Sequence, residues 1–254
     1  MQKKVKEVKG KAKILFFDIE TMANQAYVWG KYEQNVIAYK QHWYMLSFAW
    51  KWLGESKTNV LGLDDFSGYK KGSPDDKKLV TELWKLFDEA DVVIAHNGAD
   101  FDVKKANSRF AKYGMPPPSP YKIVDTKLIA RKYLKQDSNK LDDLGDYFNI
   151  GRKINTGGFE LWLGCESGDK NSWKLMKDYN IQDVILLEEV YLHLLPWMTN
   201  HPNMNLLLGT THNCPNCGAK DLEKRGFNHT RTTISQRYQC KSCHSWSSGE
   251  KIVR

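Results

Sequence analysis

A chain of 254 residues with 41% hydrophobic and 27% charged side chains can bury a real core, so most of it should fold, as one α/β domain plus a small module or as one large domain. Its formal charge of +8 attracts phosphate polymers or anionic lipid. No run approaches the ~20 apolar residues that span a bilayer. The lysine-rich start MQKKVKEVKGKAK leads into ILFFDIE, too short and too acidic for a signal peptide, so the expected location is the cytoplasm and residues 1–12 read as a basic tail.

Along the chain, Ile14 to Asp18 (ILFFD) reads as a buried strand, Tyr44 to Leu53 as a second and Thr58 to Leu63 as a third, a β-meander. Leu79, Leu83, Trp84, Leu86 and Phe87 fall at helical spacing behind Pro74, Asp75 and Asp76. Val92 to Ala95 is a buried strand, Phe101 to Tyr113 a helix, Lys122 to Val124 a strand, and Thr126 to Leu134 a helix. Leu141, Leu144, Tyr147 and Phe148 share a helical face, with Ser138 and Asn139 as cap candidates. Gly151 to Gly158 is a polar loop, and Ser172 to Leu195 is strongly helical. Strands first, then helix–strand–helix–strand, give a mixed sheet with flanking helices.

Three acidic elements stand on this frame. Asp18 and Glu20 lie two apart at a strand end, so both point to one face, where they repel each other unless a cation intervenes. Asp102 falls in the first turn of the helix after VVIAHNG, with Asp100 as an alternative cap. Tyr179 and Asp183 are four apart on the long helix. Asp18, Glu20, Asp102 and Asp183 together make an oxygen-rich set suited to Mg²⁺ or Mn²⁺. Two such ions roughly 3.5–4 Å apart carry phosphodiester hydrolysis, and a tyrosine beside the attacking water can orient it.

The D-x-E-T strand, the H-N-x-x-x-F-D turn and the Y-x-x-x-D helix, in this order, resemble the DEDD (DnaQ-like) exonuclease superfamily over roughly Lys13 to Trp197. Tyr179 at the Y-x-x-x-D position resembles the DEDDy branch, similar to the proofreading domains of family B polymerases, and NKLDDLGDYFNIG looks like the helix before the third motif. The resemblance implies an α/β, ribonuclease-H-like fold over residues 13–198, a mixed five-stranded sheet with helices on both sides. It implies removal of nucleoside 5′-monophosphates from DNA 3′ ends, with two Mg²⁺ or Mn²⁺ held by Asp18, Glu20, Asp102 and Asp183, and with Tyr179 at the reacting water. Thr21 and Met22 fall where family members hold the terminal nucleotide, and Asn97 matches the asparagine of the second motif. Replication or repair proteins are the partners this implies. RNA 3′-end trimming, structure-selective endonuclease cleavage and a non-catalytic nucleic-acid adaptor are the alternatives.

Of five cysteines, Cys165 stands alone and reads as packing. Cys214-Pro-Asn-Cys217 and Cys240-Lys-Ser-Cys243 are separated by 22 residues, two knuckles that supply tetrahedral Cys₄ coordination of one structural Zn²⁺. Residues 211–254 therefore read as a zinc ribbon, with β character from Thr230 to Tyr238, behind a linker at 199–210. His212, His229 and His244 are spare. Lys220, Lys224, Arg225, Arg231, Arg237 and Lys241, with the rings of Tyr238 and Trp246, favour a nucleic-acid grip, with protein docking or stapling of the C-terminus as the alternatives.

Overall fold

A computed structural model describes residues 12–32 and 35–253. The expected basic tail, apart from Ala12, lies outside the described residues. The apolar run ILFFDIET forms β1 (Ile14–Thr21), followed by β2 (Gln25–Tyr27), β3 (Ala38–Gln41), β4 (Met45–Trp52) and β5 (Asn59–Gly62). Then come α1 (Lys77–Glu89), β6 (Val92–Ala95), α2 (Asp102–Lys112), β7 (Lys122–Asp125), α3 (Thr126–Tyr133) and α4 (Leu141–Tyr147). The main domain closes with α5 (Glu160–Ser167) and α6 (Lys170–Leu194). The sheet has five strands in the order β5-β4-β1-β6-β7, with β1 antiparallel to β4 and parallel to β6. This is the mixed sheet with flanking helices that the strand and helix order predicts.

Side-chain alternation along β1 divides the core. Leu15, Phe17 and Ile19 pack with Leu79, Leu83 and Phe87 of α1 and with Val103, Ala106 and Phe110 of α2. Ile14 and Phe16 point the other way, against Leu141 and Leu144 of α4 and Val184, Leu187, Val190 and Tyr191 of α6. Asp18 and Glu20 continue this second face, so the same alternation that buries Phe16 under α6 aims both carboxylates at that helix. Lys51 of β4 pairs with Glu188 of α6 and fixes the helix over the sheet. Gly145 of α4 is a close-approach position: a Cβ there would stand 2.4 Å from the Gly151 carbonyl and 2.8 Å from Leu186. That contact lets the loop after α4 lie down against α6.

The small-residue and turn signals miss several elements. β2 and β3 form a separate antiparallel pair, and α5 was not expected. In ELWLGCES the apolar residues crowd at 161–163 and Gly164 interrupts them, which hides any helical period; a Cβ at Gly164 would lie 2.1 Å from Ser172 Oγ, so α5 and α6 meet there. The cap of α4 is Lys140, without a side-chain bond, in place of Ser138 or Asn139. No helix among the described residues is long and apolar enough to cross a membrane.

Residues 199–210 hold a short helix, α7 (Met204–Leu208), whose first amide donates to the Pro215 carbonyl. Asn216, inside the first cysteine knuckle, donates to the carbonyls of Leu195 and Met198 at 3.3 and 2.7 Å. The cysteine end of the C-terminal module is thereby bonded to the end of α6. Three antiparallel strands follow, β8 (Leu222–His229), β9 (Thr233–Cys240) and β10 (Trp246–Val253). Thr230 is the turn rather than a strand start, because its hydroxyl accepts from the amides of Thr232 and Thr233.

A buried polar cluster locks β4 to α1 and α2. Asp76, fully buried, accepts from the Met45 amide at 2.7 Å, the Tyr113 hydroxyl at 2.5 Å and the Arg109 guanidinium, itself 3% exposed. Asp76→Ala leaves the guanidinium buried and unpaired and is expected to lower stability by about 3–5 kcal/mol in urea denaturation.

Candidate active site

Asp18, Glu20 and Asp183 each offer a carboxylate oxygen within 4.8 Å of the others. β1 supplies the first two and the buried face of α6 the third. Asp102, at the first position of α2, is not part of that trio, but it lines the same cleft, of about 400 Å³, with Thr21, His96, Asn97, Phe101, Lys153 and Trp162. It is 4% exposed at the start of α2, in the same cleft as the end of β1. Asp100 is exposed and pairs with Lys104, so it does not cap the helix.

Burial and mutual repulsion raise the proton affinity of the whole set. Burial, then the charges of Asp183, Asp102 and Glu20, hold Asp18 well above the carboxylate range. Burial and then Asp183 push Glu20 up to about 8, and burial pushes Asp102 up to about 7. Burial raises Asp183 too, against the pull of Lys153.

Two polar contacts order the carboxylates. Asn180 Nδ2 donates to Asp18 Oδ2 at 2.7 Å, and Ser47 donates to Asn180 Oδ1 at 3.1 Å. Lys153 Nζ donates to Asp183 Oδ2 at 2.6 Å and to the Tyr179 hydroxyl at 2.8 Å. Although burial disfavours the charged amine, Asp183 and Tyr179 raise its pKa. Asp183 Oδ1 is buried and has no hydrogen-bond partner among the described residues.

The turn before α2 is built on Asp125, whose carboxylate accepts from the amides of Asn97, Ala99, Lys127 and Leu128. It holds Asn97 at φ 65°, a left-handed conformation that asparagine tolerates. His96 lines the cleft, yet both its nitrogens are engaged. The Asn139 carbonyl can only accept, so Nε2 carries the proton, and Nδ1 meets the Thr126 hydroxyl at 2.9 Å. Burial pushes this histidine down to about 4, so the ring is neutral at ordinary pH.

Met22 is corrected. Expected beside the terminal nucleotide, it is 2% exposed and packs in the core beneath the sheet. The register of β1 against β4 shifts between Glu20 and Thr21, and this irregularity turns the next side chain to the opposite face. Thr21 and Asn97 do line the cleft. Lys153, Asn180, Ser47 and Asp125 were not foreseen. Asn180 adjoins Tyr179 in sequence, but Lys153 sits in a loop with no periodic signal.

The donor set fits divalent cations: convergent oxygens, an unpartnered buried Asp183 oxygen and raised proton affinities that a cation would reverse. The folded-state values lie above the ordinary ones, 4.5 for Glu20 against about 8. The metal-free fold therefore has this contribution in full only below the ordinary carboxylate range, and loses it as pH rises through about 8. Thermal stabilisation by Mn²⁺ is expected to grow from about pH 6 to about pH 9, as protons stop competing for the oxygens. Equal shifts in melting temperature at the two pH values would contradict the cation-binding role of these acids.

At the other end of α6, Cys214, Cys217, Cys240 and Cys243 bring all four sulfurs within 4.8 Å of one another. Cys214 and Cys243 are 3.6 Å apart, Cys217 and Cys240 3.7 Å. Disulfides require about 2.05 Å, whereas tetrahedral Zn–S bonds of about 2.3 Å place sulfurs about 3.8 Å apart. The buried Ser245 hydroxyl lies 3.2 Å from Cys214 Sγ and 3.0 Å from Cys243 Sγ, the outer-shell polar contact that thiolate sites use. Cys165 lies in the core, fully buried.

A sequence model of the RNase H superfamily matches residues 15–195. The chain belongs to the RNase H superfamily. Nucleases of this superfamily use divalent metals, and the fold implies a nucleic-acid substrate. Among solved structures, the chain is similar to the family B DNA polymerase from the hyperthermophilic archaeon Pyrobaculum calidifontis, with a TM-score of 0.50 and 14% identity. The likeness covers 88% of this chain and 32% of the polymerase, so the chain spans about a third of that protein, and the likeness is one of fold. No curated protein matches the chain.

Proposed function

We propose that this RNase H superfamily member is a metal-dependent 3′–5′ exonuclease of the DEDDy type, releasing nucleoside 5′-monophosphates from DNA 3′ ends. The convergence of Asp18, Glu20 and Asp183 in one cleft with Asp102, beside Tyr179, carries this reading. Two Mg²⁺ or Mn²⁺ held by these carboxylates would lower the pKa of the attacking water and neutralise the leaving 3′ oxygen.

The chain's own residues do the rest. Asn180 holds Asp18, which lines the cleft, in one orientation through its Oδ2. Tyr179, its hydroxyl bonded to Lys153, is placed to orient the water for in-line attack. Lys153 adds a positive charge where negative charge grows on the phosphate. Phe101, 43% exposed, and Trp162 offer rings at the cleft for the terminal base, with Thr21 and Asn97 as polar contacts.

The test is a 5′-labelled single strand of DNA in Mg²⁺ or Mn²⁺, beside circular DNA and RNA. Stepwise shortening from the 3′ end supports the reading. Discrete internal cuts or cleaved circles would make it an endonuclease, and exclusive action on RNA an exoribonuclease.

Zinc at the four cysteines would make residues 211–254 a ribbon that aids nucleic-acid binding. Some forty residues cannot bury a sufficient core alone. Chelation is expected to release about one zinc per chain and unfold the module, read as fast amide exchange throughout β8, β9 and β10 while β1 and β6 stay protected. Protection of β8–β10 that survives zinc loss would contradict a structural metal.

A further inference from the structure

The outer face of the β8–β9–β10 sheet holds a pocket of about 320 Å³ lined by Asn228, Arg237, Trp246, Ser247 and Ser248. We infer that it is a second nucleic-acid site, taking one unpaired base of a single strand and its adjoining phosphate. It rests on reading the substrate as nucleic acid, and it lies outside the carboxylate cleft.

Strand register builds the site. Trp246 pairs with Gln239 and Ser248 with Arg237, so Trp246, Ser248 and Arg237 share one face, and Asn228, opposite Ser235, joins them. The indole is 49% exposed. The Arg237 guanidinium lies 5.3 Å from its ring centre, and Arg237 Nε donates to the Arg225 carbonyl at 3.1 Å. That bond fixes the guanidinium plane and leaves the Nη donors without a partner among the described residues. No carboxylate among the described residues lines the pocket, and residues 211–254 carry eight Lys and Arg against three Asp and Glu. Tyr238, the other ring that the sequence offers, faces the opposite side, half-buried against Gly249, where a Cβ would stand 3.1 Å from its ring.

These features select a single strand. In a duplex the base faces are already stacked, so a half-exposed indole gains a partner only from an unpaired base. The free Nη donors suit a phosphate. The Asn228 amide and the Ser248 hydroxyl can bond any base edge, which favours grip over sequence choice. The pocket would hold the strand while the cleft trims its end.

The test uses the zinc-loaded full chain carrying Asp18→Asn, so that the probe survives. Fluorescence anisotropy would follow a 5′-labelled oligothymidylate and a blunt duplex. Trp246→Ala is expected to weaken single-strand affinity about tenfold, with Trp246→Phe restoring most of it and duplex affinity and zinc content unchanged. Arg237→Gln is expected to reduce the slope of log affinity against log salt by about one. Unchanged single-strand affinity, or equal loss on the duplex, overturns the site; displacement of the strand by thymidine monophosphate at comparable concentration makes it a mononucleotide site and overturns it too. With hydrolysis assayed separately on the chain that keeps Asp18, hydrolysis without a Trp246 effect sinks this inference alone, and a Trp246 effect without hydrolysis sinks the exonuclease reading alone.

Discussion

Asp18→Asn is expected to lower hydrolysis at least about 10³-fold, since cation-borne charge stabilisation is worth several kcal/mol in the transition state. The same change should make the metal-free protein more stable. Asp18 sits among Glu20, Asp102 and Asp183, and burial with their charges raises its pKa. A neutral amide removes that repulsion and can still accept from Asn180 Nδ2. In a domain of this size each kcal/mol is worth about 2–4 °C in melting temperature, so a rise of a few degrees is expected in alkaline buffer. The rise should shrink in acid, where the wild-type acid already holds its proton. A variant that loses activity and stability together would mean that Asp18 serves the fold rather than a cation.

Lys153→Met is expected to reduce kcat about 10²-fold, the effect of removing one preorganised charge at a reacting oxyanion, with KM little changed. Its ammonium bridges Tyr179 and Asp183; without it both lose that partner, while Asp18 keeps its bond from Asn180. Mn²⁺ affinity should hold or rise, because Lys153 no longer competes for Asp183 Oδ2. A rise in KM at unchanged kcat would instead make Lys153 a substrate-binding residue. Loss of Mn²⁺ affinity would make it a scaffold for the carboxylates.

The fold was readable wherever periodicity was clean. β6 is a bare run of VVIA, and α6 spans 25 residues without internal glycine or proline. Two-residue alternation was also enough to place Asp18 and Glu20 on one face. It failed one step later at Met22, because a β irregularity leaves no mark in the sequence. The β2–β3 pair was missed since Gln25–Tyr27 and Ala38–Gln41 are too short and too exposed to show alternation. Lys153 was hidden for a different reason: its place depends on the loop packing against Gly145 and α6, a tertiary contact that local pattern does not encode. The cysteine pairs could be read by spacing alone, since ligand geometry is local to each knuckle, whereas the docking of that module through Asn216 on Leu195 and Met198 could not.

A crystal of the protein soaked in Mn²⁺ and measured at the manganese absorption edge tests the centre most directly. Two anomalous peaks among Asp18, Glu20, Asp102 and Asp183, with the Lys153 ammonium moved off Asp183, are the expected result. Lys153 still bonded to Asp183, with no manganese between the carboxylates at saturating concentration, would mean that these acids do not form a cation site and that the nuclease mechanism drawn from them is wrong.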